Sequence, residues 1–320
     1  MKFSISLPTG FEGVMYPVPF VDPADFVRMA KLCESLGYHS LCRSDHLTGL
    51  SGESRRPSLD TWMSLSAVAA RTRRIRFGPM VSPLTFYHPA LLAKMAAALD
   101  TLSLGRFDLG IGAGWNEHEH AMFGIRMPSL KERLDRLECG ARHIRALGEG
   151  RPITLDQPYY PLTNAESYPL PTGRTRLIVG GRGEKRTLRV VAEFADEWNA
   201  TRIDLSGFTH KRAVLAEHCA AVGRDPSAIA SSLMVPMAIG RERAEVARRI
   251  AAMRAIFPAL PGDEAAWRQA SFLAGAPADI VGQLREWGDA GMQRVLLQTL
   301  DQEDIAGLEM FATQVLPHLG

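Results

Sequence analysis

Residues 75 to 112 read Ile75-Arg76-Phe77-Gly78-Pro79-Met80-Val81, then Ser82-Pro83-Leu84-Thr85-Phe86-Tyr87-His88, then the Ala-rich run from Pro89 to Leu102, and finally Phe107-Asp108-Leu109-Gly110-Ile111-Gly112. Ile75–Val81 has the length and apolar character of a strand. His88–Leu102 has the length and the alanines and leucines of a helix, and Phe107–Gly112 is again strand-like. A strand, a helix and a strand in so short a span form the repeating unit of an alternating α/β protein.

The alternation extends in both directions. Toward the N-terminus, Phe3–Leu7 and Ser40–Asp45 read as strands. The first is followed by a helix that Asp22-Pro23 opens and Gly37 closes, the second by a helix over Ser58–Arg71. Toward the C-terminus, Ser129 and Glu132 form a capping box for a helix reaching Leu147. Strands are expected at Leu177–Gly181, Glu197–Thr201, Ser231–Ile239 and Arg294–Gln298. Helices are expected at Glu184–Phe194, Thr209–Val222, Arg241–Ile256, Pro277–Ala290 and Gln302–Leu316. Two irregular stretches, Gln157–Gly173 and Phe257–Gly275, interrupt the rhythm as insertions. Eight β–α alternations predict a TIM (β/α)8 barrel with insertion segments, one domain over residues 1–320, against the rival doubly wound open sheet.

Bulk properties narrow the partners. A formal net charge of +2, from 37 Lys and Arg scattered among 35 Asp and Glu, offers no footprint for nucleic acid and no polybasic membrane patch. No apolar run has the length of a membrane span. Cys33, Cys42, Cys139 and Cys219 match neither a zinc site nor a disulfide framework, so a reducing cytoplasm is the expected location.

In such a barrel the chemistry lies at the C-terminal ends of the strands. After the second strand stands Arg43-Ser44-Asp45-His46, a carboxylate beside an imidazole. That pair suits proton transfer, and equally fits a loop cap beside a half-buried histidine. After the third, Gly78-Pro79-Met80-Val81-Ser82-Pro83 suggests a bulge or an ordinary loop. After the fourth, Gly110-Ile111-Gly112-Ala113-Gly114-Trp115-Asn116 lets backbone approach a flat ligand, with Trp115 stacking on it or filling the barrel mouth. It is not a dinucleotide fingerprint, because Trp115 stands where the third glycine belongs. Glu117-His118-Glu119-His120 is read as a solvated helix start, since histidines two apart face different sides of a helix, and no metal is expected. Gly180-Gly181-Arg182-Gly183 before a helix is either an anion site built from free N–H groups or a turn using glycine for its φ angles.

Taken with Ile75-Arg76-Phe77-Gly78, Tyr87-His88-Pro89, Leu99-Asp100-Thr101-Leu102-Ser103, Gly105-Arg106, Glu132-Arg133 and Ala195-Asp196-Glu197-Trp198-Asn199, these motifs make the chain resemble the bacterial luciferase-like superfamily. Within it the chain is most similar to the coenzyme F420-dependent oxidoreductases. The resemblance implies hydride transfer to or from a small organic substrate, with coenzyme F420 as cofactor. The alternatives are a two-component monooxygenase using reduced FMN, and a non-catalytic flavin-binding protein. His46, Asp45 and Trp115 are the implied catalytic residues. Ser44, Pro79, Met80, Val81, Gly112, Ala113, Gly114, Asn116, Gly180, Gly181, Arg182 and Gly183 are the implied cofactor contacts. In related enzymes the stretch matching Pro79–Val81 holds a non-prolyl cis peptide behind the ring, and the stretch matching Gly180–Gly183 holds the phosphate. Related sugar-phosphate dehydrogenases carry a glutamate where Trp115 stands, which argues against a sugar-phosphate substrate. Tyr159, Tyr160 and Tyr168 are expected to shape a pocket, and a homodimer, with a flavin or F420 reductase as possible partner, is implied.

Overall fold

A computed structural model of the chain describes residues 1–7, 23–47, 59–173, 175–298 and 304–319. Its strands are β1 (Lys2–Leu7), β2 (Ser40–Arg43), β3 (Arg76–Pro79), β4 (Ser82–Pro83), β5 (Asp108–Gly112), β6 (Ile153–Leu155), β7 (Leu162–Ala165), β8 (Arg176–Gly180), β9 (Glu197–Thr201), β10 (Ala230–Ile239), β11 (Leu273–Gly275) and β12 (Arg294–Gln298). The helices are α1 (Pro23–Ser35), α2 (Thr61–Arg71), α3 (Pro89–Leu102), α4 (Glu117–Met122), α5 (Leu130–Leu147), α6 (Thr187–Phe194), α7 (Leu205–Ala221), α8 (Arg243–Ile256), α9 (Glu264–Gln269), α10 (Pro277–Asp289) and α11 (Ile305–Gln314). Asp22, Ser58 and Gln302, the expected openings of three helices, lie outside the described residues. No helix among the described residues is long and apolar enough to cross a membrane.

The main sheet is parallel and runs β3-β2-β1-β12-β10-β9-β8-β5-β4. Its ends meet, because β3 and β4 are two pieces of one stave. β3 pairs with β2 through Cys42 and Gly78, β4 pairs with β5 through Pro83 and Gly112, and Phe77 bridges to Phe107. Eight staves therefore close a TIM-like barrel. The expected continuous third strand, Ile75–Val81, is instead divided between Pro79 and Ser82, with a cis peptide at Met80–Val81.

Alternation along the strands sorts two cores. Phe3, Ile5, Leu41, Phe77, Val295 and Leu297 face outward, into the layer shared with the helices. Cys42, Met80, Ile178, Met234 and Leu296 pack inside the barrel, together with a Ser4–Ser40 hydroxyl pair at 2.7 Å. This two-sided burial is why the strands read as near-continuous apolar runs.

The insertions hold more order than their composition suggests. The first carries part of the antiparallel pair β6–β7, and the second carries α9 and β11, which extends the sheet beside β10. Two helix starts and one cap depart from expectation. α7 opens four residues early, because Asp204 accepts from the Gly207 amide as an N-cap. α6 begins only at Thr187, after a turn over 184–186. The α5 capping box is half formed. Ser129 caps the Glu132 amide, but the Glu132 carboxylate pairs with Arg126 and Arg136.

Candidate active site

At the C-terminal ends of the staves lies a cavity of about 650 Å³. β2 delivers Ser44, Asp45 and His46 to it, and the break between β3 and β4 delivers Met80 and Val81. β5 contributes Gly112 through Asn116, and β8 contributes Gly180 through Gly183. Fourteen of the fifteen residues singled out from the sequence thus line one cavity. Pro79 does not, because it is buried within β3, with its carbonyl turned against Gly110.

Asp45 and His46 sit side by side but face different partners. Asp45 is 2% exposed. Its Oδ2 accepts from Trp62 Nε1 at 3.1 Å and from the Ser82 hydroxyl, and its Oδ1 accepts from Tyr87 at 3.3 Å. Burial pushes its carboxyl up to about 6, against the pull of these hydrogen bonds. His46 turns instead to α4, where its Nδ1 lies 3.0 Å from Glu119 Oε2. A carboxylate can only accept, so Nδ1 carries a proton, and in the neutral form of the ring Nε2 is a bare acceptor. Trp115, 58% exposed, meets the His46 ring edge-on at 6.0 Å.

Glu119 is the principal residue the sequence reading missed. It is buried, takes the Leu47 amide on Oε1, and takes Asn116 Nδ2 at 3.0 Å on Oε2. Burial acts to raise its carboxyl. The hydrogen bond and charge of His46, together with the other two donors, outweigh that and hold it below the ordinary range. The solvated helix start is therefore half a helix start. Glu117 and His118 are exposed, while Glu119 and His120 are buried against the cavity. Asn116 followed three residues later by Glu119 is an N-cap signature that could have found this phase, and Asn116 does cap α4.

Two of the glycines also have a steric task inside the barrel. A Cβ on Gly112 would stand 2.6 Å from Val81 Cγ2, and one on Gly180 would stand 3.0 Å from Val81 Cγ1. They make room for Val81. Gly114, at φ +78°, is the position in this run whose backbone itself asks for glycine.

The loop after β8 also differs in part. The Gly181 amide is taken by the Asn199 carbonyl at 3.1 Å, and the Gly181 carbonyl accepts from Trp198 Nε1. Arg182 donates to the Arg202 carbonyl at 2.7 Å. Among the described residues, the Arg182 and Gly183 amides have no acceptor, and Thr187 at the start of α6 closes the cradle. Tyr159, Tyr160 and Tyr168 stand away from the cavity wall. Tyr160 instead ties the insertion to the barrel, its hydroxyl donating to the Leu84 carbonyl at 2.9 Å.

Comparison with known proteins places this geometry. Residues 1–308 match the family described as luciferase-like monooxygenase. An F420-dependent glucose-6-phosphate dehydrogenase of Amycolatopsis mediterranei (strain U-32) is 27% identical over 324 residues, covering 93% of this chain and 95% of that protein. An F420-dependent secondary alcohol dehydrogenase, solved in complex with an F420-acetone adduct, superposes with a TM-score of 0.80 at 18% identity, covering 100% of this chain and 99% of that one. The EDTA monooxygenase of Chelativorans sp. BNC1 superposes with a TM-score of 0.85 at 18% identity, covering 99% and 92%. At such identities the two structures speak for the fold alone.

Proposed function

The chain belongs to the luciferase-like monooxygenase family, and from that premise we propose that it is a coenzyme F420-dependent oxidoreductase moving hydride to or from a small organic substrate. The observation that carries this is the His46–Glu119 pair at the mouth of a cavity that also holds an anion cradle. Support comes from relatives named as F420-dependent dehydrogenases along nearly the whole chain.

The residues present fit such a cofactor. The cavity has the size of a cofactor site. Met80 and Val81 form an apolar floor for a flat ring, and the Arg182 and Gly183 amides, ahead of α6, offer donors to a phosphate. Ser44, Gly112, Ala113, Gly114, Asn116, Gly180 and Gly181 complete the wall. When bound, the deazaflavin supplies the hydride-exchanging carbon.

The chain supplies the rest. His46 Nε2 takes the proton of a substrate hydroxyl as the C–H hydride leaves, and returns it in the reverse direction. Glu119 holds the ring in the tautomer that leaves Nε2 bare and stabilises the imidazolium that forms. Asp45 acts from behind as a buried acceptor that fixes Trp62, Ser82 and Tyr87, and Trp115 covers the mouth. One domain over residues 1–320, a cytoplasmic location and a homodimer belong to the same proposal.

A second reading, use of reduced FMN with oxygen, rests on the description of the matched family as luciferase-like monooxygenase. Titration with oxidised and reduced F420, and in parallel with oxidised and reduced FMN, followed by tryptophan quenching, tests both. Micromolar F420 binding with much weaker FMN binding is the expected result. A preference for reduced FMN selects the second reading, and binding of neither by folded protein overturns both.

A further inference from the structure

Gln298 ends β12 and lines the same cavity at 7% exposure, yet the His46–Glu119 chemistry does not use it. Strand pleating says which way it points. Val295 and Leu297 face the helices and Leu296 packs inside the barrel, so Gln298, two residues on, also faces inward. Its carboxamide makes no hydrogen bond among the described residues, and neither its nitrogen nor its oxygen is sealed off, so both keep surface open to the cavity. The neighbours in register have nothing to give it. Pro236 on β10 has an apolar side chain, and the Ser6 hydroxyl on β1 is already bonded to the Cys42 thiol.

Its place around the barrel sets it apart from the proposed cofactor wall. In the order of staves β12 stands opposite β5, with three staves between them on either side. The residues proposed for ring and phosphate stand on the divided third stave, β5 and β8. β2, the strand that leads to His46, is two strands from β12, about 10 Å at ordinary strand spacing. A small molecule held at His46 spans that distance. A nearly buried carboxamide without a partner costs free energy until something matches it. It offers a donor and an acceptor side by side, without charge. The complement is another neutral amide edge, a carbonyl next to an N–H. A ketone answers only the donor, and a carboxylate sets a negative oxygen against the Gln298 oxygen.

We propose that Gln298 is a specificity-determining residue of this site, and that the substrate is a neutral molecule carrying an amide or lactam edge remote from the carbon that exchanges hydride. This rests on the proposed oxidoreductase reading for its reaction, but not for its binding. His46 serves the reacting hydroxyl, and Gln298 selects among molecules by their far end. A site built to hydrogen-bond such a group rejects the analogue that lacks it more strongly than an apolar pocket rejects an added methylene. The pyrimidinedione ring of a flavin or deazaflavin carries the same edge, so the test has to separate substrate from cofactor.

The test compares wild type with Gln298→Met, which keeps the length of the side chain without its amide, and with Gln298→Leu, a second apolar shape. The probes are δ-valerolactam and cyclohexanone, six-membered rings in which one N–H replaces a CH2. Ligand-observed NMR titration of the cofactor-free protein measures both. Wild type is expected to bind the lactam about tenfold tighter than the ketone. In both variants the ratio is expected to collapse toward one, mainly through loss of lactam affinity, with no fall in melting temperature. An unchanged ratio, an equal loss for both probes, or no binding of the lactam by wild type overturns the inference. So does a melting temperature several degrees lower in both variants, because the amide would then serve the fold. F420 titrations of the same three proteins are expected to agree with one another. A loss of F420 affinity as large as the loss for the lactam gives the carboxamide to the cofactor ring and overturns the substrate assignment. A collapsed lactam ratio without F420 binding by any of the three removes only the cofactor proposal.

Discussion

The two ends of the barrel each bury a polar cluster, and they are built in opposite ways. At the N-terminal ends of the strands, Asp108 of β5 is clamped by Arg76 of β3 and Arg176 of β8, with contacts of 2.5 Å to each guanidinium. Glu197 of β9 lies 2.7 Å from Arg294 of β12 and 3.3 Å from Arg176. Every carboxylate there has a cation. At the C-terminal ends, Asp45 has neutral donors instead, His46 in its neutral form keeps a bare Nε2, and Gln298 holds a carboxamide with no partner among the described residues. The contrast appears in the carboxyls themselves. The two arginines bring Asp108 down to about 2 despite its burial, while burial drives Asp45 up to about 6. One end is organised for stability, the other tolerates cost where chemistry is done.

Breaking the paired end should have the largest effect. Asp108→Asn removes the buried charge that Arg76 and Arg176 both clamp, which costs about 3–5 kcal/mol. Urea unfolding at neutral pH measures it, and a loss under about 1 kcal/mol would remove the contrast. The sign of the pH dependence follows from a folded value below the unfolded one. The stability Asp108 contributes is present above about 4 and is lost as pH falls toward 2.

Asp45 has the opposite sign. Its folded value lies above the unfolded one of 3.8, so its protonated form favours the folded state. That contribution is full below about 4 and lost as pH rises through 6, about 3 kcal/mol in all. Asp45→Asn should therefore flatten the stability curve between pH 4 and 6.5, where the wild-type curve declines. Parallel curves for the two proteins would mean that burial does not govern this carboxyl.

The His46–Glu119 pair predicts a change in chemistry with little change in stability. Glu119→Gln sets an amide where a charged acceptor stood, and should lower kcat with F420 about 10- to 100-fold. In ¹⁵N-labelled protein the His46 ring should lose its fixed Nδ1–H tautomer. A lower rate with an unchanged tautomer would show that Glu119 acts otherwise than by positioning His46.

These pairings also mark where sequence reading ran out. Strand and helix order was legible because burial on both faces of a parallel barrel writes apolar runs at regular spacing. The cavity was legible because strand ends collect polar residues and glycine in this fold. Glu119 was not. Its value comes from His46, which stands 73 residues away and meets it only once β2 and α4 are placed. Four consecutive polar residues, Glu117 to His120, look alike until helix phase divides them, two to solvent and two to the cavity. The insertions were illegible for a related reason. β6, β7 and β11 are short strands with no periodic pattern of their own, and β11 is held by pairing with the distant β10.

The smallest predicted effect concerns the seam between the two pieces of the third stave. Val81 packs into the space left by Gly112 and Gly180, and a methyl on Gly112 would meet Val81 Cγ2 at 2.6 Å, closer than side chains approach. Gly112→Ala should cost about 1–3 kcal/mol by overpacking. Because Gly112 has ordinary backbone angles, the cost should come from Val81 and not from φ. Adding Val81→Ala should then restore part of the lost stability, so that the double variant is more stable than the sum of the two single losses predicts. Thermal unfolding of the four proteins decides it. Strict additivity would mean that the glycine answers to something other than Val81, and would return the stretch to its first reading as a surface kept bare for a flat ligand.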